Sequence, residues 1–355
     1  MSGAAVIEAI GLISGALGII QFAMDNFPEP KSVDSVVRIT VGLDTNGGLD
    51  NAGGDLPDVR LFNEAGEYLG LTKDPGGIQD GGFADITIAH EGDSTQQPTY
   101  TLFSANKNAI CIAYATITLP SQDKYSWVGD WGRQCGASWY YSHVYIGSTG
   151  VTPDCMWIDA NNDQPQTGFQ LHWPEFYVKS GDSLPSDPTE QTDKINYFCS
   201  QQPAFKYYNY ATDPDPRGIT AWPITNPRDL EAREPITAYG PAKHAESAKF
   251  RRGGTLYPRQ ASNATAAADP HANRLVISNS DKHTADGLCE SDTSAGPDFV
   301  NTASGMFCRM SDKKQFPVCS KTVTDNCFNT ESKQLIINGV SARDAPYTDV
   351  LDWSE

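Results

Sequence analysis

Between residues 35 and 178 the chain repeats one pattern. A short run of alternating apolar and polar residues is followed by a cluster of Gly, Pro, Asp or Asn. No other feature constrains the fold as much, because a period of two puts every second side chain on one face of an extended strand. The runs are 35–43, 59–71 as a hairpin around Glu64-Ala65-Gly66, 83–90, 99–104, 109–119, 139–146, 155–159 and 169–178. The run AICIAYATITL at 109–119 is the most apolar and reads as a central strand. Pro174 marks the last run as an edge or a bulge. Evenly spaced short strands with polar turns predict a mainly β body over 31–226, an antiparallel β-sandwich or jelly roll. Within it, residues 180–225 are rich in Pro, Asp and Tyr and read as loops packed on the sheets.

The amino-terminal stretch GAAVIEAIGLISGALGIIQFAMD at 3–25 has a different period. Val6, Ile10, Ile13, Leu17, Ile20 and Met24 recur by fours and threes, which is a heptad stripe. Glu8, Gly11, Gly15 and Gly18 line its flank, small enough for another backbone to approach. The pattern predicts an apolar α-helix over 1–27, and a helix apolar nearly all round must be buried in protein or lipid. Those ten residues are the expected assembly surface, with Glu8 needing a buried partner. At about 1.5 Å per residue the segment is roughly 34 Å long, close to a bilayer core. No Lys or Arg precedes it, unlike an ordinary secretory signal.

Eight cysteines, an even number, fall into two groups of four. Cys289, Cys308, Cys319 and Cys327 sit in a short stretch of Gly, Ser, Asp and Thr, which predicts a disulfide-rich module over 273–355. Sequence proximity favours Cys289 with Cys308 and Cys319 with Cys327, although four cysteines allow three pairings. A locally basic, low-complexity linker over 227–272 joins this module to the body and carries the sequon Asn263-Ala-Thr and the dibasic pair Arg251-Arg252. Such cysteine usage points to an extracellular or cell-surface protein, and the sequon to a glycoprotein. The four tail cysteines, Gly296-Pro297-Asp298-Phe299-Val300 and Phe307-Cys308 resemble the C-terminal segment of uncharacterised extracellular cysteine-containing proteins of filamentous ascomycete fungi. That resemblance covers the last quarter of the chain. It implies a secreted fungal protein and no particular chemistry.

The formal charge of −18 sets the chain against nucleic acid and against anionic membranes, both of which select basic surfaces. Three groups of residues could carry chemistry. Asp44, Asn46, Asp50, Asp55 and Asp58 place hard oxygens on a Gly-rich loop and would suit calcium, and Asp159, Asn161, Asn162 and Asp163 form a similar loop. Trp127, Asp130, Trp131 and Trp139 lie in an aromatic run of the kind that stacks on sugar rings, although the same residues serve equally as core. The six histidines are scattered, and no GxSxG, HExxH or phosphate-loop motif occurs. The expectation is therefore a non-enzymatic secreted structural or interaction protein that forms homo-oligomers through its amino-terminal helix. The alternatives are a glycan-binding module, with calcium assisting, and a membrane-active protein using that helix.

Overall fold

The structure is a computed structural model describing residues 27–29, 31, 33–42, 52–92, 96–146, 152–176, 187–200, 204–222, 236–239, 271, 273–342 and 347–354. These residues fall into two compact units, 27–239 and 271–354.

The first unit contains β1 (Asp34–Val41), β2 (Gly54–Asp55), β3 (Asp58–Phe62), β4 (Tyr68–Thr72), β5 (Gly77–Ile78), β6 (Phe83–Ala89), β7 (Tyr100–Ser104) and β8 (Ile110–Thr118). It continues with β9 (Lys124–Val128), α1 (Asp130–Gln134), β10 (Trp139–Tyr141), β11 (Asp154–Ile158), β12 (Gln166–His172), α2 (Pro188–Cys199), β13 (Phe205–Asn209), β14 (Gly218–Ala221) and β15 (Ile236–Tyr239). One antiparallel sheet runs β10-β11-β8-β1-β6, with β9 and β11 sharing an edge of β8. The other runs β13-β12-β7-β3-β4. All nine residues of β8 are buried, which is why its sequence is apolar almost throughout rather than alternating. The sheets meet through aromatic side chains. The Trp127 ring of β9 stacks on Phe169 of β12 at 4.8 Å and on Phe205 of β13 at 5.7 Å.

The far face of the second sheet is roofed by the β14–β15 ribbon, with Ile219 and Ala221 packed on Phe62, Tyr100, Leu102 and Tyr208. Because β3, β7 and β12 are buried along their whole length, polar groups on them need internal partners. Gln170 is satisfied by the ribbon: its Nε2 donates to Thr220 O at 2.8 Å, and its Oε1 accepts from Thr220 N and from Tyr208 Oη. The fully buried Arg60 donates to Ser104 Oγ at 3.0 Å and lies 3.7 Å from the Asp58 carboxylate.

The second unit holds β16 (Arg274–Ser278), α3 (Ala285–Cys289), β17 (Asp298–Asn301), β18 (Met306–Arg309), β19 (Lys314–Pro317), β20 (Cys327–Asn329), β21 (Gln334–Ile337), β22 (Val340–Ser341) and β23 (Asp349–Asp352). Here β16 pairs in parallel with both β17 and β23, and β17, β18 and β19 continue as an antiparallel meander. Phe307 stacks on Phe328 at 4.2 Å in the core, and Trp353 packs edge-on against Phe299. Disulfides join Cys289 to Cys308 and Cys319 to Cys327, while Cys111–Cys155 and Cys135–Cys199 cross-link the first unit.

Three expectations change. The body is mainly antiparallel β, but it is not the expected sandwich or jelly roll, because no sheet closes on itself. The ladders end on β6 and β10 in one sheet and on β4 and β13 in the other. Alternation and turn spacing specify strands and their pairing. Closure additionally needs an end strand to pair back, and nothing in the alternation encodes that. The apolar helix expected over 1–27, with Val6, Glu8, Ile10, Gly11, Ile13, Gly15, Leu17, Gly18, Ile20 and Met24, lies outside the described residues. Among the described residues no helix is long and apolar enough to cross a membrane, and self-assembly through such a helix has no structural support. Finally, the stretch read as loops contains α2, β13 and β14. Asp187 caps α2, its carboxylate accepting from Thr189 N and Glu190 N, and Pro188 occupies the first turn.

The inter-sheet stack gives a direct test. Trp127→Ala leaves a cavity against Phe169 and Phe205, and urea unfolding should show a loss of about 3–5 kcal/mol.

Candidate functional site

The aromatic run is spent on packing. Trp127, Trp131 and Trp139 are 1%, 6% and 0% exposed, so none presents a ring face to a sugar. Trp131, on α1, stacks on Phe198 of α2 at 4.3 Å and meets Phe176 edge-on. The Trp139 ring lies beneath the Arg133 guanidinium at 3.8 Å. The Trp131–Phe198 stack and the Cys135–Cys199 bond hold α1 against α2.

Asp130 belongs to a buried charge cluster. Arg133 Nη1 donates to Asp154 Oδ2 at 2.8 Å, and Asp154 N donates to Asp130 Oδ2 at 3.2 Å. Gly129 makes the approach feasible, since a Cβ there would lie 2.3 Å from Asp154 O. Two carboxylates thus face one guanidinium in a dry setting. Desolvation, followed by the charge of Asp154, pushes the Asp130 carboxyl well above the usual range.

His172, at the end of β12, is the one histidine set between carboxylates on both sides among the described residues. Its Nε2 lies 2.8 Å from Glu64 Oε2 and its Nδ1 lies 3.6 Å from Glu175 Oε1. Tyr100 stacks on the ring at 4.2 Å. Desolvation alone would lower its pKa, but the hydrogen bonds and charges of Glu175 and Glu64 together outweigh it and the value rises. Glu64 comes from the β3–β4 hairpin turn, 108 residues away, so no local spacing could have revealed the pair.

Of the calcium-loop residues, Asp44, Asn46 and Asp50 lie outside the described residues. Asp55 Oδ2 accepts from Asn108 N at 3.3 Å, and Asp58 Oδ1 accepts from Asp74 N at 3.0 Å. Both hold their own chain together. Among the described residues no three His, Cys, Asp or Glu side chains group as metal ligands. Asn263 also lies outside the described residues.

A cleft of about 360 Å³ opens beside β13. Its lining includes all five strand residues Phe205–Asn209, the Cys135–Cys199 bond, Thr212 and Asp213. Neighbouring side chains of a strand point to opposite faces, so five consecutive ones can border one hollow only if it runs along the strand's edge. That edge belongs to the sheet's end strand. Lys206 Nζ donates to Thr220 Oγ1 at 3.0 Å and sits over the Tyr208 ring. Desolvation lowers the Lys206 pKa, and the nearby Asp213 charge opposes the shift. The far wall is a tight turn in which Thr212 N and Asp213 N both donate to Asn209 O. Sequence reasoning passed over every one of these side chains except the two cysteines, because Pro and Asp dominate their surroundings; the run FKYYN was the available signal.

No protein-family model matches the chain, and no curated protein matches it.

The buried groups predict how stability depends on pH. A carboxyl or imidazole whose folded pKa is raised binds its proton more tightly folded than unfolded, so its stabilisation is complete at low pH and fades as pH rises through the folded value. The stabilisation from Asp130 is full below the ordinary carboxylate value of 3.8 and that from His172 below 6.5, and each is lost as pH rises beyond those values. The first unit should therefore melt at a lower temperature at pH 8 than at pH 5. Asp130→Asn and His172→Gln should each flatten that slope in calorimetry.

Proposed function

We propose that the chain works outside the cell as a disulfide-locked binding protein whose ligand lies in the cleft beside β13. The observation that carries this reading is the cleft itself: about 360 Å³, in the range of small-molecule sites, walled by a cross-link and a hydrogen-bonded turn. Pre-formed walls reduce the ordering cost of binding. Pairing of all eight cysteines supports the extracellular setting, since thiols stay reduced in the cytosol.

The lining indicates the ligand class. In a chain of net charge −18, this cleft carries one cation and one anion, Lys206 and Asp213, and is also lined by Tyr207, Asn209 and Thr212. Balanced charge does not favour a polyanion or a polycation. It suits a neutral or zwitterionic polar molecule the size of an amino acid or short peptide. Its ammonium would face Asp213, its carboxylate Lys206, and its backbone the strand edge.

A thermal-shift panel tests this. Free amino acids, dipeptides and tripeptides at about 100 times Kd should stabilise the protein by about 2.7 kcal/mol. Lys206→Met and Asp213→Asn should each weaken the response. Absence of any shift at ~10 mM, or equal shifts from simple carboxylates and amines, would refute the reading.

A further inference from the structure

The connection between β11 and β12, Asp159-Ala160-Asn161-Asn162-Asp163-Gln164, curls around one carboxylate. Asp159 is fully buried. Its Oδ2 accepts from three backbone amides, those of Asn161 at 3.1 Å, Asp163 at 2.7 Å and Gln164 at 3.3 Å. The Asp163 amide also faces Asn161 Oδ1 at 3.2 Å, so the oxygens of Asp159 and Asn161 converge on one N–H. Asn162 takes a left-handed φ of 76°, which tightens the curl. Asn161 and Asp163 are exposed, so the loop opens to solvent.

The three amides account for Oδ2 and leave the other oxygen unexplained. Asp159 Oδ1 is buried and has no hydrogen-bond partner among the described residues. It belongs to the carboxyl group whose other oxygen the loop's amides hold, within reach of the Asp163 charge. A buried carboxylate oxygen without a partner is costly, and a cation removes that cost.

We infer that this loop is a calcium-class cation site, with Asp159 Oδ1 as its buried anchor and the side-chain oxygens of Asn161 and Asp163 completing the protein's share of the shell. Asp, Asn and Asp at alternate positions supply hard oxygens around a flexible turn, the donor set that calcium accepts. Oδ2 is tied to the loop's own amides, which fixes the carboxylate and with it Oδ1. The loop departs from the EF-hand pattern: Gln164 stands where that motif has Gly, and Gln170 where it has its bidentate Glu. Gln170 is already held by Thr220 and Tyr208. With few charged ligands, the affinity falls in the class of extracellular modules, about 0.1–1 mM.

Terbium(III) luminescence on the full-length protein tests this, because Trp157 lies two residues upstream as a sensitiser. Excitation of tryptophan should give terbium emission that calcium displaces with a midpoint of about 0.1–1 mM. Asn161→Ala and Asp163→Ala alter exposed side chains, so the fold should persist by circular dichroism while terbium and calcium affinity fall tenfold or more. Absence of sensitised emission, or emission that ~10 mM calcium fails to displace, overturns the site. Emission unchanged in both variants overturns it equally, by placing the ion elsewhere in this acidic chain.

Discussion

The body of this protein depends on burying the second sheet from both sides. Trp127 and its neighbours cover one face of β12, and the β14 ribbon covers the other. A sheet placed between two layers has no water to satisfy its polar side chains. Each polar residue on β3, β7 and β12 must therefore be matched within the chain. Gln170 shows the consequence: its amide reads the backbone of Thr220 on both its N–H and its C=O, so it fixes where the ribbon sits. An apolar residue there would leave those backbone groups unpaired. Arg60 and Ser104 work in the same way at the other end of the sheet, where Ser104 Oγ donates to Pro216 O at 2.6 Å. Burial comes from the hydrophobic pattern, and uniqueness comes from these few hydrogen bonds.

The same dryness governs the electrostatics. Carboxylates are ordinarily kept in water, yet Asp130, Asp154 and Asp159 are buried. Each is handled differently. Asp154 meets a guanidinium, the Asp130 carboxyl is pushed upward by desolvation and by the charge of Asp154, and Asp159 takes three backbone amides on one oxygen. At the surface the logic reverses: the half-exposed Asp312 is held near pKa 2 by Arg309 and Lys314. Internal groups thus favour mild acid, while surface pairs resist strong acid.

How far the sequence reveals this arrangement depends on the range of each interaction. β1 and β8 follow from apolar runs, because strand pattern is local. The α2 cap at Asp187 was equally readable, but it was hidden by a composition that suggested loops. The loop at Asp159 was legible as a spacing of oxygens, whereas the orphaned Oδ1 was not, since burial is a tertiary property. His172 ends β12 and Glu64 sits in the β3–β4 turn, brought together by the pairing of β12, β7 and β3, and one sequence carries no record of that contact. The tryptophans were ambiguous for a chemical reason: a ring that can stack on a sugar stacks equally well on Phe169 or Phe198.

The parallel pairing in the second unit bears on synthesis. β16 is made early in that unit, yet one of its two hydrogen-bonding edges is completed only by β23, some 75 positions later in the numbering, with Trp353 N donating to Ile277 O at 2.7 Å. During translation β16 emerges with that edge open, while Cys289 and Cys308 are already available to cross-link the middle of the unit. That disulfide ties α3 to β18, so the middle of the unit can be cross-linked before β23 is made. For a strand order of this kind, an early covalent clamp guards against the exposed edge pairing with the wrong chain.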